Sequence, residues 1–265
     1  MCAQQIDFLH RIRAAELERA LEYFPCVGRE PSPKVLEIGA GTGHQALLLS
    51  GLGYDVTAID VPGSAYRNSR VFPVREYDGL RIPADDRKFD VVFTSNVLEH
   101  VQELDRLLNE MSRVTAPGGI GIHLLPTPTW RIWTAATHYF WLLKKFGKLV
   151  LSGVERSGAS PRAASENPKR HVLSDLIPAR HGERGSLFTE AYFFSTYWWR
   201  RSFQSEYRIE RVVPIGIFYT GSVSAGLFLS IKVRRFLAAL LGSACKIYIV
   251  QPRGRRNKDW KIHDD

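Results

Sequence analysis

The sequence predicts an α/β protein built on a parallel, doubly wound sheet, and three observations carry that expectation. From residue 34 to 127, strand-like apolar runs alternate with helix-like patterns. The first run breaks into three closely spaced glycines, Gly39, Gly41 and Gly43, before a helical pattern begins. The second run ends in an acid, Asp60. In such sheets ligands bind beyond the carboxyl ends of the strands, and Gly39, Asp60, Asp78 and Asn96 are all expected at such ends.

The elements follow in chain order. Residues 4–24 place Ile6, Leu9, Ile12, Leu17, Leu21 and Phe24 on one broad helical face, ended by Pro25, with Pro31 and Pro33 in the linker. Val35 to Ile38 is a buried strand carrying one acid, Glu37. The turn Gly39-Ala40-Gly41-Thr42-Gly43 follows, where missing Cβ atoms let a ligand sit against bare backbone, and then a helix from Gln45 to Ser50. A turn of this kind fits a nucleotide site or merely a tight strand-to-helix connection. Tyr54 to Ile59 is the next strand, and an acid at its end is placed to hold two ribose hydroxyls. Phe89 to Phe93, a helix over Leu107 to Val114, a turn at Ala116-Pro117-Gly118-Gly119 and a strand over Ile120 to Leu125 complete the alternation.

Beyond Pro126-Thr127-Pro128, residues 130–151 read as an amphipathic helix. Ile132, Ala136, Tyr139, Leu143, Phe146 and Val150 form its stripe, and Lys144, Lys145 and Lys148 stand near its end. Such a helix suits a lid over the site or a membrane interface. Residues 152–170 read as a mobile loop. A polar cluster, Pro178 to Gly185, precedes a helical stretch from Glu190 to Phe203. Residues 207–219 read as a sixth strand, 222–242 as a buried or interface-lying helix, Lys246 to Gln251 as a last strand, and 253–265 as a loose basic tail. Neither apolar run approaches the ~20 residues needed to span a bilayer.

The spacing Glu37-x-Gly39-x-Gly41-x-Gly43, with Asp60 after it, resembles the first motif of class I S-adenosylmethionine (SAM)-dependent methyltransferases, of the type 11 kind. Tyr77-Asp78-Gly79, Thr94-Ser95-Asn96-Val97-Leu98-Glu99-His100-Val101 and the turn into the fifth strand continue the resemblance in order over about residues 33–127. It implies a Rossmann-like sheet of seven strands with a helical insertion after the fifth, and SAM as cofactor. By resemblance Glu37 and the backbone at Gly39, Ala40, Gly41 and Gly43 hold the methionine part, Asp60 the ribose, Asp78 the adenine side, and Ser95 or Asn96 the amino-acid end. For Asp78, a turn-forming Asp-Gly is the rival reading.

The resemblance implies no substrate. The charge is uneven: residues 1–129 hold 13 Lys and Arg against 17 Asp and Glu, whereas residues 130–265 hold 23 against 10. A basic second half suggests an anionic partner or simply a solvated basic face. Five of six tryptophans fall between 130 and 199, which makes Trp130, Trp133, Trp198 and Arg180 candidate acceptor contacts. His181 and His100 are the candidate general bases, with Glu99 and Glu183 in reserve. His123, inside the fifth strand, is expected to be structural. Three scattered cysteines, Cys2, Cys26 and Cys245, predict neither disulfides nor a metal cluster. The start of the chain lacks a secretory pattern, so a cytoplasmic location, peripheral at the inner membrane face, is expected. The expected activity is O-methylation of a small, glycan-linked or lipid-linked acceptor. The rivals are RNA methylation, for which no separate RNA-binding module is visible, and SAM binding without turnover.

Overall fold

The computed structural model describes residues 3–28, 30–155, 180–186, 189–221 and 229–253; side chains are not described at residue 3 or over 146–155. Seven strands form one sheet in the order β3-β2-β1-β4-β5-β7-β6. They are β1 (Lys34–Ile38), β2 (Asp55–Asp60), β3 (Val74–Glu76), β4 (Phe89–Ser95), β5 (Thr115–Pro126), β6 (Tyr207–Pro214) and β7 (Cys245–Pro252). The first five run parallel, and β7 is antiparallel to both its neighbours.

The apolar runs have the composition of strands covered on both faces. Val35, Val91, Phe93, Ile122 and Ile249 point to one side, where α1 (Ala3–Ala20) adds Phe8, Ile12 and Leu17. Leu36, Ile38, Val92, Tyr248 and Val250 point to the other. There α3 (Leu104–Val114) buries Leu104, Leu107, Leu108 and Met111. The same face takes Trp199 and Phe203 from α6 (Thr196–Phe203). The remaining helices are α2 (His44–Gly51), α4 (Pro128–Glu155), α5 (Glu190–Phe193) and α7 (Ile231–Leu241).

Several expectations need correction. Strand and helix do not alternate throughout: β2 reaches β3 through a single 3-10 turn, Arg67–Ser69, and no helix joins β3 to β4. β5 starts at Thr115 rather than Ile120, with a register shift against β4 between Phe89 and Val91. Gly118, at φ +81°, lets the strand absorb that irregularity. The predicted helix over 190–203 is two helices, because Ser195 turns extended and its side chain accepts the Trp198 N–H to start α6. β6 stops at Pro214, earlier than the predicted strand end at residue 219. Residues 152–155 continue α4. The rest of the expected mobile loop, Pro178, Ala179, residues 222–228 and the tail beyond 253 lie outside the described residues.

The stripe on α4 does not pack over the site. Ile132 is 60% exposed, Tyr139 45% and Leu143 71%. On α7, Val233, Phe236 and Leu240 are exposed, while Arg234 and Ala238 are buried. The two helices meet where Trp133 Nε1 donates to the Leu241 carbonyl, 3.1 Å away. No helix among the described residues is long and apolar enough to cross a membrane.

Candidate functional site

The carboxyl ends of β1, β2, β3 and β4 open onto a cavity of about 470 Å³ lined by Gly39, Gly41, Asp60, Tyr66, Asp78, Asn96 and His100, among others. A second lobe of about 110 Å³ shares Gly39, Gly41, Tyr66 and Asn96 and adds His10, Arg13, Ala40, Gln45 and Ser95. Four strand ends predicted from separate motifs thus meet in one groove.

The glycine turn shapes its floor. Gly39, Gly41 and Gly43 all have positive φ. A Cβ at Gly39 would collide with the Val97 methyls, and one at Gly43 would sit 2.8 Å from Phe72 Cβ. Gly43 caps α2 and lets it pack closely, and it does not line the groove. Asp60 Oδ2 accepts the Gly41 N–H at 3.0 Å and Oδ1 accepts the Val61 N–H at 2.8 Å, so this acid braces the turn while facing the cavity. Glu37 stands behind the turn rather than in either lobe. Its carboxyl takes a backbone hydrogen bond from Ala46, and burial pushes it up to about 8. Asp78 lines the cavity, yet its Oδ1 accepts the Leu80 and Arg81 N–H groups, which hold it below the usual carboxylate range. The turn-forming role therefore coexists with the lining one.

Asn96 sits at φ +55°, its Nδ2 buried without a partner among the described residues, and Ser95 Oγ is likewise unpaired. Two orphaned polar atoms beside a bare backbone turn fit the amino-acid end of SAM. Asn96 Oδ1 accepts a weak bond from the Cys245 thiol at 3.3 Å. Behind it the Tyr219 hydroxyl lies 3.0 Å from the same sulfur and donates to Glu16 of α1 at 2.7 Å. Burial pushes both the thiol and the phenol well above their ordinary ranges. The amino-terminal helix thus both packs on the sheet and walls the groove. His10 of that helix stacks on His44, with centroids 4.1 Å apart, and bonds Thr42 Oγ1 at 2.9 Å. The sequence gives no sign of these contacts, because His10 and His44 belong to separate elements and to no shared motif.

His100 and His181 come together, with centroids 4.7 Å apart. Both Nε2 atoms approach Oε1 of Glu99, at 3.8 and 3.7 Å. Burial holds His100 below the usual imidazole range. His181 also lies 4.4 Å, centroid to centroid, from Trp130. Its loop is anchored from below. Glu190 Oε1 accepts the His181 and Gly182 N–H groups, each at 2.7 Å, while Oε2 pairs with buried Arg131 Nε at 2.5 Å. Glu183 N–H donates to the Glu99 carbonyl at 2.9 Å. Sequence reasoning misses Arg131 and Glu190, since a buried pair drawn from two distant helices leaves no periodic trace.

Other candidates fall elsewhere. Trp133 packs between α4 and α7 against Phe218. Arg180 turns back to the Gly185 carbonyl of its own loop. Arg184 donates to the Val101 and Gln102 carbonyls and lies over the Trp198 ring. Trp198 lines a separate cavity of about 530 Å³ with Arg184, Arg201, Gln102 and Glu103. Gln102 and Glu103 also line the larger groove lobe, so the two cavities adjoin. His123 is structural: its Nδ1 lies 3.0 Å from Thr94 Oγ1, its ring stacks on Phe203, and burial pushes it down to about 3.

A methyltransferase-domain family model matches residues 36–122, the stretch that builds this groove. A ubiquinone/menaquinone biosynthesis C-methyltransferase from Bordetella avium is 31% identical over 209 residues, 70% of this chain and 78% of that protein. A demethylmenaquinone methyltransferase from Streptomyces avermitilis is 33% identical over 165 residues, 60% of this chain; the chain spans 66% of that relative, just short of two thirds. The fold matches a SAM-dependent methyltransferase from Aquifex aeolicus at TM-score 0.50 and 16% identity, over 94% of this chain and 98% of that one. It also matches one from Mesorhizobium loti at 0.52 and 14%, over 90% and 98%.

Proposed function

The chain belongs to the class I SAM-dependent methyltransferases, and from that membership we propose that it methylates a hydroxyl-bearing acceptor that is small or carried on a lipid or glycan. SAM, when bound, supplies a methyl group already activated on a sulfonium. The protein's share is to hold the acceptor oxygen in line and remove its proton. The single observation that carries this reading is the pair His100 and His181 beside the Glu99 carboxylate, with His100 lining the groove. In the protein alone His181 takes the proton, Glu99 steadies the resulting imidazolium, and Trp130 sets the ring's position.

The adjoining cavity with Trp198, Arg184 and Arg201 suits a sugar face or a phosphate on the acceptor. The exposed faces of α4 and α7 support a membrane surface as the place where a lipid-linked acceptor is met. Lys144 lies 4.5 Å from the Phe140 centroid and Lys145 4.9 Å from that of Trp141, so apolar rings stand beside cations. The Bordetella avium relative is named for C-methylation in ubiquinone and menaquinone biosynthesis. A hydroxylated ring that gives its phenolic proton to the same base would instead attack the methyl through a ring carbon, which then loses its own proton to solvent as the ring regains aromaticity, and that is the second reading. The ¹³C chemical shift of a labelled product distinguishes a methoxy from a ring methyl.

The test is His181→Ala and His100→Ala. Each should lower turnover about 10²-fold or more, and His181→Ala, at a residue that does not line the groove, should leave SAM affinity in calorimetry unchanged. Full turnover in His181→Ala would remove the base assignment.

A further inference from the structure

Glu99 is 2% exposed, and neither of its carboxylate oxygens has a hydrogen-bond partner among the described residues. An uncompensated buried carboxylate is costly, and proteins meet that cost with a cation or with donors. What the carboxylate does face is two imidazole nitrogens. Glu99 Oε1, His100 Nε2 and His181 Nε2 stand 3.7 and 3.8 Å apart across the two histidine–glutamate gaps, and one ligand atom from each of the three residues falls within 4.8 Å of the others. Metal bonds of about 2.1 Å in a tetrahedron separate ligand atoms by roughly 3.4 Å, so the two histidine–glutamate gaps need to shrink by only a few tenths of an ångström and the histidine–histidine gap by at most about 1.4 Å.

We infer that Glu99, His100 and His181 form a binding site for a divalent transition-metal ion. Two nitrogens and one oxygen suit zinc, cobalt, iron or manganese better than magnesium or calcium, which favour oxygen alone. Three protein ligands leave positions open, as in catalytic rather than structural sites. The support behind the ligands is also built. Glu190 holds the His181 and Gly182 backbone, Arg131 holds Glu190, and Gly182 lets the loop approach, since a Cβ there would lie 3.0 Å from the Glu99 carbonyl.

This inference deepens the hydroxyl-acceptor reading and rests on it for its chemical role. The acceptor's hydroxyl oxygen takes an open position on the ion, the O–H bond breaks, the oxygen keeps the electron pair, and the proton passes to solvent. His100 and His181 then act as ligands, and the ion replaces direct proton removal by His181.

The full chain, stripped of metal, is titrated with Co²⁺ while its visible d–d absorption is followed, and with Zn²⁺ in calorimetry. One equivalent should bind, and His181→Ala and His100→Ala should each weaken binding at least about 100-fold, with SAM affinity unchanged in His181→Ala. No stoichiometric uptake by the wild type, or equal affinity in both variants, would overturn the site. If metal-stripped protein keeps full turnover while His181→Ala loses it, the metal fails and the base reading stands. If Co²⁺ binds through the histidines while His181→Ala keeps full turnover, the site stands and the hydroxyl reading fails.

Discussion

Asp60 does two jobs at once, bracing Gly41 and Val61 while facing the cavity, and its substitution separates cofactor binding from folding. A hydrogen bond to a charged group contributes about 1.5–3 kcal/mol, so Asp60→Ala should weaken SAM binding at least about tenfold in calorimetry. Unchanged affinity with unchanged circular dichroism would sink the ribose assignment. Glu37 and His123 make opposite predictions about pH. The Glu37 carboxyl is raised to about 8, so its stabilising contribution is complete below about 4.5 and is lost as pH rises towards 8. His123 is depressed to about 3, so its contribution is complete above about 6.5 and is lost as pH falls towards 3. Glu37→Gln should therefore gain stability relative to wild type between about pH 5 and 8, by up to a few kcal/mol, in urea melts at several pH values. A difference independent of pH would show that Glu37 does not titrate in that window.

Among the elements, the strand-turn-helix at Val35–Gly51 and the exposed α4–α7 face give the clearest tests. Gly39→Ala forces a Cβ into Val97 at a positive φ, and should cost about 1–3 kcal/mol and abolish SAM binding. A variant that melts and binds like wild type would mean the turn relaxes freely. On α4, Leu143→Asp combined with Lys144→Glu and Lys145→Glu touches only exposed positions. It should change stability by less than about 1 kcal/mol and sharply reduce co-sedimentation with anionic vesicles. A wild type that never pellets with such vesicles contradicts the membrane reading. The stripe on α4 is legible as a helix face because its period is local. Its exposure is not, because the same pattern serves a buried lid equally well, and only the tertiary position of α4 decides between them.

At the scale of the molecule, the mostly parallel sheet and the groove at its carboxyl edge are readable because each motif lies at one strand end and parallel topology gathers those ends, whereas the strand order comes from the structure. Asp60 can be placed from its strand end, and Asp78 and Asn96 from the family resemblance. The acceptor side is not readable that way. Glu99 follows β4 and His181 precedes α5, with α3, β5 and α4 between them in the chain, and the Arg131–Glu190 pair that positions His181 has no sequence period. Trp133 and Arg180, candidates by residue type, brace α7 and a loop instead. The whole arrangement makes cofactor and acceptor chemistry separable: Glu190→Gln should lower turnover and loosen the His181 loop in hydrogen exchange while SAM affinity holds. The most direct test of the account is transfer of tritiated methyl from SAM to fractionated cell extract by the wild type and His181→Ala. The wild type should label an organic-extractable or small hydroxylated species, and His181→Ala should do so about 10²-fold more slowly. Label in nuclease-sensitive material, or equal rates for the two proteins, would contradict it.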